Sequence, residues 1–175
     1  MKKGLIHIYC GDGKGKTTSA MGLAVRAAGY GMKVLIYQFM KDNTTSERNV
    51  LKAIPNITII NGLQQEKFSF QMTEQEKQER KDFYTKRFQE ITKKAEEEDY
   101  DLLLMDEIIY TLRATLLEEE LVLSYLRNKP ESLEVVLTGN APSSTLIELS
   151  DYVSEIKKIK HPYDQGLTAR YGIEK

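Results

Sequence analysis

The chain has 175 residues, 41% hydrophobic and 29% charged, with 11 Gly and 4 Pro; these values fit one globular domain and exclude a largely disordered or low-complexity chain. Lys and Arg number 25 against 26 Asp and Glu, a net charge of −1, which lacks the basic excess of a domain built to coat nucleic acid. The single cysteine, Cys10, excludes an intrachain disulfide and a multi-cysteine zinc site, and no run approaches the ~18 apolar residues of a membrane span.

Residues 5–10, Leu-Ile-His-Ile-Tyr-Cys, read as a strand that ends at Gly11. This apolar stretch is too short for a signal-peptide core, so a cytoplasmic location is expected. Residues 17–28 read as a helix with Ala20, Leu23, Ala24 and Ala27 on one stripe, stopped by Gly29 and Gly31. Further strands are expected at 34–39, 57–60, 102–105, 135–138 and 152–156. Their near-continuous apolar runs predict strands buried on both faces, as in a parallel sheet covered by helices. The longest helix is expected from about Glu74 to Glu98. Thr73 and Glu76 form its capping box, and Tyr84, Phe88, Ile91 and Ala95 its apolar stripe. Thr115 with Glu118 repeats the capping signature before a run at 121–126. Residues 41–47 and 62–72 are weakly patterned and predict long loops, which in a compact domain often carry function.

The strongest local signal is Gly11-Asp12-Gly13-Lys14-Gly15-Lys16-Thr17-Thr18, between the first strand and the first helix. A polyphosphate needs many donors at close range. Glycines let successive backbone N–H groups turn inward, and the helix adds its N-terminal amides and dipole. Lys16 supplies a mobile cation, and the Thr17 hydroxyl can ligate Mg²⁺. Cys10 stands where the usual pattern has glycine, and the loop is glycine-rich one residue later. The second half of such a site is expected at Asp106-Glu107, two carboxylates following the apolar run 102–105. At a strand's carboxyl end they can hold Mg²⁺ directly or through water. The expected fold class is α/β: one RecA-like P-loop domain over residues 1–175, a mainly parallel β-sheet flanked by helices on both faces. Three functions stay open at this level: a RecA-like ATPase acting on nucleic acid or a protein partner, a nucleotide-binding regulator without turnover, and a transferase.

From residue 5 to its end the sequence resembles the P-loop corrinoid adenosyltransferases, which move the 5′-deoxyadenosyl group of ATP onto the cobalt of cobalamin or its precursors. The resemblance begins with the phosphate loop and Gly22-Leu23-Ala24-Val25-Arg26-Ala27. Gln38-Phe39-Met40-Lys41 follows, then Glu47-Arg48-Asn49, Met105-Asp106-Glu107 and Leu137-Thr138-Gly139. Its most specific part is the tail, Lys160-His161-Pro162-Tyr163 with Gly166 and Gly172-Ile173-Glu174. What the resemblance implies is attack of Co(I) on C5′ of ATP with expulsion of triphosphate, a reaction that needs no general base. It implies Thr17, Asp106 and Glu107 as Mg²⁺ contacts, and Lys16 and Glu107 as residues of the chemistry. It implies nucleotide or corrinoid contacts for Gly11 through Thr18 and for Gln38, Lys41, Arg48 and His161. It further implies a reducing flavoprotein partner and a homodimer, while the apolar runs and charge balance above point to no membrane partner and disfavour a nucleic-acid one. The chain departs from the family pattern in three places. It begins at the first strand without the N-terminal helical extension of many members. It reads Thr138-Gly139-Asn140 where Thr-Gly-Arg is usual. Phe68 and Phe70 lie loosely where some members carry an aromatic pair that displaces the lower cobalt ligand.

Overall fold

The computed structural model describes residues 3–67 and 69–174. Six strands, β1 (Ile6–Cys10), β2 (Val34–Gln38), β3 (Ile57–Ile59), β4 (Leu102–Asp106), β5 (Glu134–Thr138) and β6 (Tyr152–Glu155), form one sheet in the order β3-β2-β4-β5-β1-β6. Every neighbouring pair is parallel. Parallel pairing requires crossover connections. These hold helices α1 (Lys16–Tyr30), α2 (Glu47–Leu51), α3 (Glu74–Glu97), α4 (Ile108–Arg113), α5 (Glu119–Asn128) and α6 (Ser144–Leu149). Among the described residues, no helix is long and apolar enough to cross a membrane.

The period-two geometry of strands explains why the central ones are apolar throughout. Val34, Ile36, Leu102 and Leu104 pack with Ala20, Ala24 and Ala27 of α1. Leu35, Tyr37, Leu103 and Met105 face the other way, onto Tyr84, Phe88 and Ile91 of α3. Both faces of β2 and β4 are therefore core, and every residue of these strands is buried. All four residues of β6, at the edge, are exposed.

The expected strands are all present, with ends within a residue or so. The capping box of α3 forms as read: the Thr73 hydroxyl accepts from Glu76 N–H, and the Glu76 carboxylate accepts from Thr73 N–H. Two expectations fail. Helix α1 runs through Gly29 and ends only at Gly31, whose φ of 101° is the left-handed conformation that closes a helix. The Thr115–Glu118 capping box does not form. Helix α5 starts after an extended Glu118 that makes no side-chain cap, while Thr115 sits at φ 57° with its hydroxyl on the Ala114 carbonyl. Burial of Leu116 and Leu117 takes precedence and draws the chain into a turn before the helix can begin. The short helices α2, α4 and α6 are not foreshadowed in the sequence reading. Among its described residues, the loop at 62–72 holds a 3₁₀ turn at Ser69–Gln71 and no other helix or strand.

Candidate active site

The glycine loop leaves β1 and enters α1 at Gly15. Gly11 and Gly15 have φ of 102° and 123°, which other residues adopt only with strain. Gly13 is required for a different reason. A Cβ there would lie 2.8 Å from the Ile156 carbonyl oxygen, which accepts a hydrogen bond from Gly13 N–H. The loop is thus packed against the chain that continues from β6. Asp12 strengthens the seam by accepting from Lys158 N–H at 2.9 Å, a bond that holds its carboxyl below the ordinary range. The first turn of α1 contains no acidic residue and Gly15 offers no side-chain cap. The helix therefore presents its orphan N–H groups and positive dipole end without a counter-charge of its own.

A second group of polar residues collects at the carboxyl ends of β2, β4 and β5. Asp106, the last residue of β4, is fully buried. Its Oδ1 accepts from the hydroxyls of Thr17 (2.8 Å) and Thr138 (2.6 Å). Its Oδ2 accepts from Lys41 Nζ (2.7 Å) and Gln38 Nε2 (3.3 Å). Burial alone would raise the Asp106 pKa, but the Lys41 charge and these hydrogen bonds outweigh it and hold the carboxyl below its usual value. Lys41 is raised in turn. Burial acts to lower it, and Asp106 overcomes that effect. Glu107 begins α4 at φ 60° with its N–H on the Thr138 hydroxyl, and its side chain lines the cleft. Burial first, and the adjoining Asp106 charge second, push Glu107 above the ordinary carboxylate range.

Gln38 and Arg48 stand behind this cluster. Gln38 donates to Glu47 at 2.8 Å and accepts from Arg48 at 3.1 Å, while Arg48 also donates to Asn61 at 2.7 Å. Both are buried and neither lines the cleft; Glu47, which Gln38 holds, does. Asn43 brackets the loop at 62–67 by accepting from Gly62 N–H and donating to the carbonyls of Gly62 and Leu63. Glu66 anchors the same loop to α3 through Arg80 and the Tyr84 hydroxyl.

The cleft between these loops has a volume of about 1080 Å³. Thr17, Thr18, Lys41 and Glu107 line it, together with Met40, Glu66, Phe70 and Tyr110 and the tail residues 171–174. Lys16 Nζ lies on the Gly13 carbonyl at 2.9 Å, and Lys14 pairs with Glu174 at 3.6 Å. His161 is placed elsewhere. Its Nδ1 accepts from Tyr163 N–H and caps the 3₁₀ turn at Pro162–Gln165, and it does not line the cleft. Phe68 lies outside the described residues. Thr138, Glu66 and Tyr110 were not assigned from the sequence. Thr138 could have been found from its place at a strand's carboxyl end, where ligands of open α/β sheets gather. Glu66 and Tyr110 meet only through the fold.

The residues suit a nucleotide-bound divalent cation. Among the described residues no cluster of three or more His, Cys, Asp or Glu could hold a metal by itself. Mg²⁺ binds ordinarily through one or two carboxylates completed by phosphates and water. The Lys41 ammonium lies between the Asp106 carboxylate and the Thr17 hydroxyl, 2.7 and 3.2 Å away, so that point of the structure already holds a positive charge.

Comparison with known proteins decides what kind of nucleotide protein this is. Residues 2–174 match the sequence profile of the family described as ATP:corrinoid adenosyltransferase BtuR/CobO/CobP. The chain belongs to this family. A corrinoid adenosyltransferase of Escherichia coli K12 is 32% identical over 99% of this chain and 86% of its own length. The corrinoid adenosyltransferase of Salmonella typhimurium LT2 is 30% identical over the same shares. A KaiC-like protein of Pyrococcus horikoshii matches in structure, with a TM-score of 0.57 over 89% of this chain and 73% of its own; at 19% identity this likeness concerns the fold. The adenosyltransferase family match runs continuously through loop, acidic pair and tail, the three segments that meet around the cleft.

Proposed function

We propose that residues 1–175 form one cytoplasmic adenosyltransferase domain that transfers the 5′-deoxyadenosyl group of Mg·ATP to the Co(I) of a corrinoid and releases triphosphate. The observation that carries this reading is the junction of the glycine loop with the Thr17–Asp106–Lys41 cluster on one wall of a cleft large enough for a nucleotide and part of a second ligand. The cobalt electron pair forms the Co–C5′ bond as the C5′–O bond breaks, and the bonding pair leaves with the triphosphate. Co(I) is the nucleophile, so the protein's tasks are alignment and stabilisation of the leaving group.

The loop amides of Gly11 through Gly15 and the N-terminus of α1 would cradle the phosphates, with Lys14, Lys16 and Thr18 adding side-chain donors. Thr17 and Asp106 would hold Mg²⁺, with Glu107 beside them. When bound, the metal supplies charge neutralisation on the triphosphate oxygens. Gln38, held in turn by Arg48, fixes Glu47 and the Asp106 carboxylate without reaching substrate. Phe70, exposed at the cleft mouth, and Met40 and Tyr110 are the apolar surface available to a corrinoid. His161 acts through the tail fold. The same reading includes a flavoprotein that reduces the cobalt and a homodimeric assembly, with no nucleic-acid partner.

The test is an anaerobic mixture of protein, Mg·ATP and chemically reduced cob(I)alamin. Growth of the adenosylcobalamin spectrum with one triphosphate per turnover is expected. ADP accumulating without spectral change would sink the proposal in favour of an ATPase.

A further inference from the structure

Asp106 accepts four hydrogen bonds, two at each oxygen. That accounts for about all the acceptor positions a carboxylate has. A divalent cation can therefore reach this carboxylate directly only if one donor leaves. Three of the four are held from behind. Thr17 is fixed in the first turn of α1. The Thr138 hydroxyl also accepts from Glu107 N–H. Gln38 is gripped by Glu47, Arg48 and Thr45. The fourth is the Lys41 ammonium, on a flexible stem at the cleft wall with its side chain 22% exposed. Its Nζ touches both Asp106 Oδ2 and Thr17 Oγ1, the two side chains assigned above to the metal.

We infer that Lys41 is a tethered surrogate for the divalent cation: it holds Thr17 and Asp106 in their metal-binding arrangement while the site is empty and departs as the metal enters. The inference rests on the reading of the cleft as a Mg·ATP site. Its physical ground is charge. A fully buried carboxylate without a cation is costly, so the empty site must carry one of its own. Two cations on the same pair of oxygens repel, so metal entry and ammonium exit form a single exchange. A tethered ammonium competes at high effective concentration. Free Mg²⁺ therefore displaces it poorly, whereas Mg²⁺ carried by a triphosphate brings extra contacts that tip the exchange. Lys41 is on this account a positioning residue that makes metal binding depend on nucleotide.

The experiment measures Mn²⁺ binding by the loss of its free-ion electron paramagnetic resonance signal, on the full chain, without and with ATP. Wild type should bind Mn²⁺ weakly alone and tightly with ATP. Lys41→Met should bind Mn²⁺ alone about tenfold or more tighter than wild type, the scale of removing one competing charge at contact distance. Lys16→Met, which removes a cation that also reaches Glu107, and Lys41→Arg, which keeps the charge at position 41, should both stay near wild type. Equal binding by Lys41→Met and wild type would overturn the inference, as would an equal gain in Lys16→Met or in Lys41→Arg. Should Lys41→Met prove unstable, Mn²⁺ alone is expected to restore its cooperative unfolding, and failure to do so would count against the surrogate role. Wild type that binds no Mn·ATP would overturn the nucleotide-site reading and this inference together.

Discussion

The cleft is built from two regions made in opposite ways. At the ends of β2, β4 and β5 the polar side chains of Gln38, Asp106 and Thr138 are buried and hydrogen-bonded to one another or to their neighbours; Asp106 alone accepts four. The tail beyond β6 is almost wholly exposed, and polar contacts hold it: Gly13 and Asp12 on one side, and Arg170–Glu174 and Lys14–Glu174 on the other. Buried polar networks are costly to disturb, while exposed ion pairs contribute little and yield to salt. The cluster is thus preorganised by the fold. The tail keeps its position cheaply, and so can adjust to what enters the cleft.

That contrast can be broken at its strongest point. Asp106→Ala removes the centre of the buried network and strands the Lys41 ammonium. It should destabilise the protein by about 3–5 kcal/mol and abolish Mg·ATP binding, read from urea unfolding and calorimetry. Lys16→Ala takes a cation from the phosphate loop but none from the core. It should leave the unfolding midpoint unchanged while lowering kcat by on the order of 10²–10³, checked by the spectral assay. Gly13→Ala probes the seam between the two regions. Its Cβ meets the Ile156 carbonyl oxygen, and the backbone cannot easily yield. A loss of about 1–3 kcal/mol is expected, together with weaker nucleotide binding. The smallest effect belongs to the tail. The Arg170 contacts hold Glu174 down to about 2. A depressed carboxylate contributes above its unfolded value and loses that contribution as pH falls towards the folded one. The Arg170–Glu174 pair should therefore persist at neutral pH and release only near pH 2. The Glu174 carboxyl carbon shift would report this, and Glu174→Gln should lower the unfolding midpoint only slightly, because water screens an exposed pair. An unfolding loss in that variant as large as that of Gly13→Ala would erase the distinction between the regions.

The sequence specifies structure legibly where the information is local. Strand runs, the α3 capping box and the glycine loop depend on residues close in the chain, and each appears where its pattern put it. The order of the strands did not follow from them, because sheet pairing joins segments such as β1 and β5 that lie far apart in sequence. The same limit applied at the site. Thr17, Lys41 and Asp106 were each named from motif or resemblance, yet the contacts that Thr17 and Lys41 make with Asp106 span 65 residues or more and came only with the fold. Gln38 and Arg48 were expected at the ligand and were found behind it, since an arginine in a polar loop gives no sign that it will be buried. Thr115 failed as a cap because burial of its apolar neighbours outweighed a local hydrogen bond.

Tyr171 stands on the cleft wall, 85% exposed, in a protein that has ten tyrosines and no tryptophan. The native molecule is therefore nearly dark when excited at the long-wavelength edge of aromatic absorption. A lone indole installed by Tyr171→Trp would be the sole emitter there, at the mouth of the cavity. Corrinoids absorb strongly where indole emits, so its quenching would time the arrival and departure of the second substrate in a stopped-flow trace, without a dye and without touching the buried cluster.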